Sequence, residues 1–142
     1  MKAKYYEADT SVIELGRKIQ NVFFDRFCHI KPNDIYYVFK DAAKNSFKAK
    51  TNITNGLYRS LTNKKIIIQI HKQEWELLKE TDRALLIYRE LYRIDKNQND
   101  PSEYKLTRED VKDFKKILEK VGLHNETAES FLSKVVNPVA AK

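Results

Sequence analysis

Hydrophobic positions recur along this chain in two rhythms, and each predicts its own kind of element. From Ser11 to Phe27, the residues Val12, Leu15, Ile19, Val22, Phe23 and Phe27 keep the spacing that gathers side chains on one face of a helix. Ser11-Val12-Ile13-Glu14 before them has the form of a capping box. Lys31-Pro32-Asn33 breaks the pattern. Ile35-Tyr36-Tyr37-Val38-Phe39 is then β-branched and aromatic throughout, as a strand with at least one buried face would be. Asp41 to Lys50 is polar and predicts neither element. Asn55-Gly56 signals a turn, and Lys65-Ile66-Ile67-Ile68-Gln69-Ile70-His71 predicts the clearest strand of the chain, with Ile66, Ile68 and Ile70 on one face. Gln73 to Leu78 reads as a short helical turn, in which Trp75 and Leu78 anchor the approach to the central helix.

The stretch from Asp82 to Asp95 predicts that helix, around which the rest is arranged. Thr81 can cap it, and Ala84, Leu85, Ile87, Tyr88 and Leu91 form its apolar face. The polar run from Asp95 to Pro101 ends it. Arg89, Glu90 and Arg93 fall on neighbouring positions of one face, which places two cations and a carboxylate together. Beyond the loop, Thr107-Arg108-Glu109-Asp110 is a helix start, Val111, Phe114, Ile117, Leu118 and Val121 continue an amphipathic helix, and Gly122 can end it. Thr127 to Val136 predicts a last short helix. Helix, two strands, central helix, loop and helix together give an α+β fold: a small, mainly antiparallel sheet packed against a central helix. The expected organisation is one domain over residues 1–142, with its core at about 11–123.

Composition sets limits on function. No apolar run approaches the roughly 18 residues of a membrane span, and Met-Lys-Ala-Lys-Tyr-Tyr-Glu is no signal peptide, so a cytoplasmic protein without membrane association is expected. The single cysteine, Cys28, closes an apolar helical pattern and reads as a buried, inert thiol. The net charge of +7, from 27 Lys and Arg against 20 Asp and Glu, favours an acidic partner. The charge is spread over several clusters: Lys44 with Lys48 and Lys50, Lys64 with Lys65, and Lys112 with Lys115 and Lys116. Lys44, Lys48, Lys64 and Lys65 are candidate contacts to a partner, as are Tyr88 and Tyr92, one helical turn apart, although packing suits these two tyrosines as well.

The succession of Ile-rich strand, Trp75, Ala-Leu-Leu-Ile-Tyr-Arg-Glu-Leu-Tyr-Arg, polar loop and Arg-Glu-Asp-Val-Lys-Asp-Phe-Lys-Lys-Ile-Leu-Glu-Lys-Val-Gly-Leu resembles the phage metallopeptidase family, a zincin-like group of phages and mobile elements. The resemblance runs from about Val12 to Leu123. It implies a zincin-like fold whose central helix carries His-Glu-Leu-x-His, with a further His opening the next helix. On that alignment Arg89 and Arg93 stand at the two helix ligands, Glu90 at the general base and Glu109 at the downstream ligand, while Leu91, Asp110, Val111 and Phe114 match. A guanidinium stays protonated and offers a metal no lone pair. His29, His71 and His124 stand far apart without ligand spacing, and a structural or surface role is expected for each. The resemblance therefore implies a degenerate, non-catalytic relative without a metal cofactor. Arg89, Arg93 and Glu109 either clasp one another where a metal would have stood or lie on a solvated helix face. Two functions compete: binding of a nucleic acid or host protein, such as inhibition of a host defence system, and hydrolysis by an unfamiliar site that retains Glu90.

Overall fold

The computed structural model describes residues 3–43 and 47–107. A four-stranded sheet in the order β1-β2-β4-β3 forms one layer. Its strands are β1 (Lys4–Glu7), β2 (Ile35–Asp41), β3 (Ala49–Ile53) and β4 (Ile66–His71). β1 lies antiparallel to β2 and β3 antiparallel to β4, so the sheet is mainly antiparallel. The two strands with the plainest hydrophobic pattern nevertheless run parallel, with Ile35 opposite Ile66 and Phe39 opposite Ile70. Both faces of this central pair are largely buried, Val38 and Ile67 on one as well as Phe39, Ile66, Ile68 and Ile70 on the other, the core face, hence the near-continuous apolar runs.

Two helices cover that face: α1 (Thr10–Val22), followed by the single turn α2 (Phe24–Phe27), and α5 (Glu80–Tyr92). Ile35, Tyr37 and Phe39 of β2 and Ile66, Ile68 and Ile70 of β4 meet Val12, Ile19 and Phe27 from one side and Ala84, Ile87, Tyr88 and Leu91 from the other. The rings of Phe23 and Phe27 pack edge-on against Tyr88 at 5.0 and 5.2 Å. Such edge-to-face pairs stabilise a core beyond their buried area. Two short helices connect these elements: α3 (Gly56–Thr62), joining β3 to β4, and α4 (Lys72–Leu77), leading into α5. Past α5 the chain makes a small hairpin, β5 (Ile94–Lys96) with β6 (Tyr104–Leu106).

Several local expectations are corrected. The helix expected over Ser11 to Phe27 breaks at Phe23, whose backbone leaves the helical region, and Asp9 rather than Ser11 stands at its start. That break turns Cys28 outward, so the thiol is exposed instead of buried. α5 starts at Glu80 after Lys79, which puts Thr81 inside the helix rather than at its cap. Asn55-Gly56 does turn the chain, but it opens a helix, with Gly56 in the left-handed region at φ 50° and Asn63 closing the helix at φ 55°. Beyond Thr107, the helix expected to start there and the one expected over 127–136 lie outside the described residues. Among the described residues no helix is long and apolar enough to cross a membrane.

Candidate functional site

The last turn of α5 meets β3, and there a charged side chain enters the core. Glu90 sits between the apolar positions Ile87 and Leu91 and is 1% exposed. A buried carboxylate is tolerated only when hydrogen-bonded or paired. Thr51, buried in the middle of β3, donates its hydroxyl to Glu90 Oε1 at 2.8 Å. Arg93 Nη1, one turn further along the helix, stands 3.6 Å from the same oxygen. Thr51 reaches the helix because Ala49, Thr51 and Ile53 alternate onto the core face of β3, with Ala49 and Ile53 packed against the core on either side of it.

Arg89 and Arg93 add partly buried positive charge to this end of α5, and of the two Arg93 contacts the carboxylate. Nε of Arg89 and Nε of Arg93 are both buried and find no acceptor among the described residues. The expected neighbourhood of Arg89, Glu90 and Arg93 on one helix face is thus present, with a direct contact from Glu90 to Arg93. Glu109, the third member of the proposed clasp, lies outside the described residues.

These side chains do not suit a zinc ion. Two guanidiniums supply charge of the wrong sign and no lone pair, and Glu90 has its Oε1 engaged by a hydroxyl and a cation. Among the described residues no three His, Cys, Asp or Glu side chains gather so as to hold a metal ion. His29 contacts Ile94 O through Nε2 at 2.9 Å. His71 is buried at the start of α4, where Nδ1 accepts the Glu74 N–H and Nε2 therefore donates to Ala42 O at 3.0 Å. Both are structural, as the sequence suggested; His124 lies outside the described residues.

The candidate partner contacts do not form one surface. Tyr88 is fully buried in the core, where burial pushes its hydroxyl up to about 12, and it has no face to offer a base. Tyr92 stacks beside it at 6.4 Å, with Arg26 5.0 Å over its ring and donating to its hydroxyl at 3.2 Å. It lines a polar recess of about 260 Å³ with Arg26, His29 and Asp95. Lys48 is exposed before β3, while Lys64 and Lys65 precede β4. Because β3 and β4 are antiparallel, Lys48 neighbours one end of their ladder and Lys65 the other, roughly 20 Å apart at the rise of a strand. Lys64 donates to Asn33 O at 2.7 Å and Lys65 to Ser102 O at 2.6 Å. Lys44 lies outside the described residues. Sequence reasoning missed Thr51, and the only signal for it was the weak alternation of Ala49, Thr51 and Ile53.

Comparison with known proteins adds one finding: the model of the family described as Putative phage metallopeptidase matches residues 4–136. No curated protein and no solved structure matches the chain.

Proposed function

Because the chain belongs to the phage metallopeptidase family, we propose that it is a non-catalytic member, acting by binding an acidic partner through the basic group on α5. The observation that carries this reading is Glu90. In a peptidase of this kind the carboxylate must meet a metal-bound water and take its proton. Here it is 1% exposed and held by Thr51 and Arg93, so it neutralises cationic neighbours instead of activating a nucleophile. Arg89 and Arg93, at the positions that the resemblance gives to the metal ligands, are only partly buried and so still carry positive charge to the surface.

A protein surface is the better partner than a nucleic acid. A nucleic acid tracks along a continuous basic groove with stacking platforms, whereas Lys48 is separated from Lys64 and Lys65, and Tyr88 is buried. For a family of phage type, a host defence protein has the matching context.

Peptide hydrolysis, assayed with and without added zinc, tests the reading. No turnover above background is expected. Hydrolysis that disappears in Glu90→Gln would restore the alternative, an enzyme with a non-standard site. Anisotropy with single- and double-stranded oligonucleotides at about 0.15 M ionic strength is expected to show no binding, and tight, salt-sensitive binding there would make nucleic acid the partner.

A further inference from the structure

A second site stands at the opposite edge of the core. β1 is only four residues long and pairs β2 from Val38 to Asp41, leaving Ile35 to Tyr37 paired with β4 on one side and with no strand on the β1 side among the described residues. The last tie is the Ala8 N–H to Tyr37 O at 2.9 Å, after which the chain turns into α1. Between that bare edge and α1 lies a cleft of about 210 Å³. Ile13, Pro32 and Ile35 give it apolar walls, and Arg17 and Lys64 bring two cations to it.

Both cations are positioned by a neutral residue. Arg17 Nη2 donates to Asn33 Oδ1 at 3.2 Å and Lys64 Nζ to Asn33 O at 2.7 Å, and neither makes an ion pair with a carboxylate among the described residues. Each retains further N–H donors. Tyr37, which also lines the cleft, carries a hydroxyl that is buried and without a hydrogen-bond partner among the described residues. A buried polar group left unpaired costs free energy, and one beside a cleft can recover it from a ligand. Arg17 is close enough to that hydroxyl to oppose part of the upward push of burial.

We propose that this cleft binds a small organic anion, its phosphate or carboxylate head group held between Arg17 and Lys64 and its compact apolar body lying against Ile13, Pro32 and Ile35. A cleft of about 210 Å³ is large enough for a head group and a single ring. Glu7 lines the same cleft and repels an anion, which sets the affinity below what two cations alone would give.

Calorimetric titration with phenyl phosphate, benzoate and inorganic phosphate tests the proposal on the intact chain and separates the sources. Saturable binding of phenyl phosphate or benzoate below about 10 mM, tighter than that of inorganic phosphate, is expected; which of the two wins identifies the head group. Arg17→Gln and Lys64→Gln should each weaken it at least about tenfold, the loss of a charge-assisted hydrogen bond, and Glu7→Gln should strengthen it. Tyr37→Phe should weaken binding without lowering the unfolding temperature, which separates a ligand contact from a structural one. Absence of saturable binding by all three probes, or binding unchanged in the folded Arg17→Gln and Lys64→Gln variants, would overturn the proposal.

Discussion

Replacing Thr51 by Val removes one hydroxyl from the core and little else, because the two side chains share a shape and a β-branched preference for strands. Thr51 is 3% exposed, so solvent cannot take over its hydrogen bond to Glu90. Glu90 would keep Arg93 at 3.6 Å, beyond good hydrogen-bond distance, and one carboxylate oxygen would lose its only close donor among the described residues. A hydrogen bond to a charged group contributes about 1.5–3 kcal/mol. At the usual unfolding entropy per residue, a chain of 142 residues should then melt roughly 5–10 °C lower. Urea unfolding of the wild type, Thr51→Val, Glu90→Gln and the double variant closes a cycle that isolates the pair, with an expected coupling of at least about 1 kcal/mol. A Thr51→Val variant within about 0.5 kcal/mol of the wild type, the level of an ordinary surface change, would refute the claim that Glu90 is a structural carboxylate anchored from β3.

Gly16 packs so closely under Tyr37 that an added Cβ would overlap its hydroxyl and stand 2.7 Å from Cζ; Gly16→Ala should therefore destabilise by about 1–3 kcal/mol despite the better helix propensity of Ala, and Tyr37→Phe should recover part of the loss in denaturant midpoint. His71→Ala removes the acceptor for the Glu74 N–H and the donor to Ala42 O, and should cost about 1–2 kcal/mol by the same measurement. Burial, the first cause in both, pushes the Tyr88 and Tyr104 hydroxyls up to about 12 from the usual 10. A hydroxyl whose folded value is raised holds its proton more tightly when folded, so this stability is complete below pH 10 and falls away as pH rises from about 10 towards 12. The last part of the rise in tyrosinate absorbance should accordingly accompany loss of the fold, and Tyr88 and Tyr104 titrating near 10 in the intact protein would contradict it.

What the sequence showed were the elements whose side chains have one dominant environment. β2 and β4 are apolar because both sit in the middle of the sheet, and α5 is readable because Ala84, Ile87, Tyr88 and Leu91 repeat at helical spacing. β1 and β3 are edge strands of four and five residues, and the pattern Lys-Tyr-Tyr-Glu is exposed along its whole length, so no alternation marks it. α3 buries no residue and has no apolar stripe facing the core. The hairpin of β5 and β6 hides inside a polar run because each strand buries one side chain, Ile94 and Tyr104, and Tyr104 donates to Asp34 Oδ2 at 2.7 Å and accepts the Lys31 N–H at 3.1 Å. Half of the candidate site was legible for the same reason. Helical spacing alone brings Arg93 to Glu90, but Thr51 comes from 39 residues upstream and depends on a strand that carries no clear signal.

The central claim is that the α5 group is a charge cluster instead of a metal centre, and zinc content measures it most directly. Elemental analysis after dialysis against zinc-containing and then metal-free buffer should find no stoichiometric zinc in the wild type. The triple change Arg89→His, Arg93→His and Glu109→His, which rebuilds the ligand set that the family resemblance implies, should take up one equivalent if it folds. One equivalent of zinc in the wild type would contradict the claim, since no arrangement of two protonated guanidiniums beside a buried, hydrogen-bonded carboxylate can hold the ion.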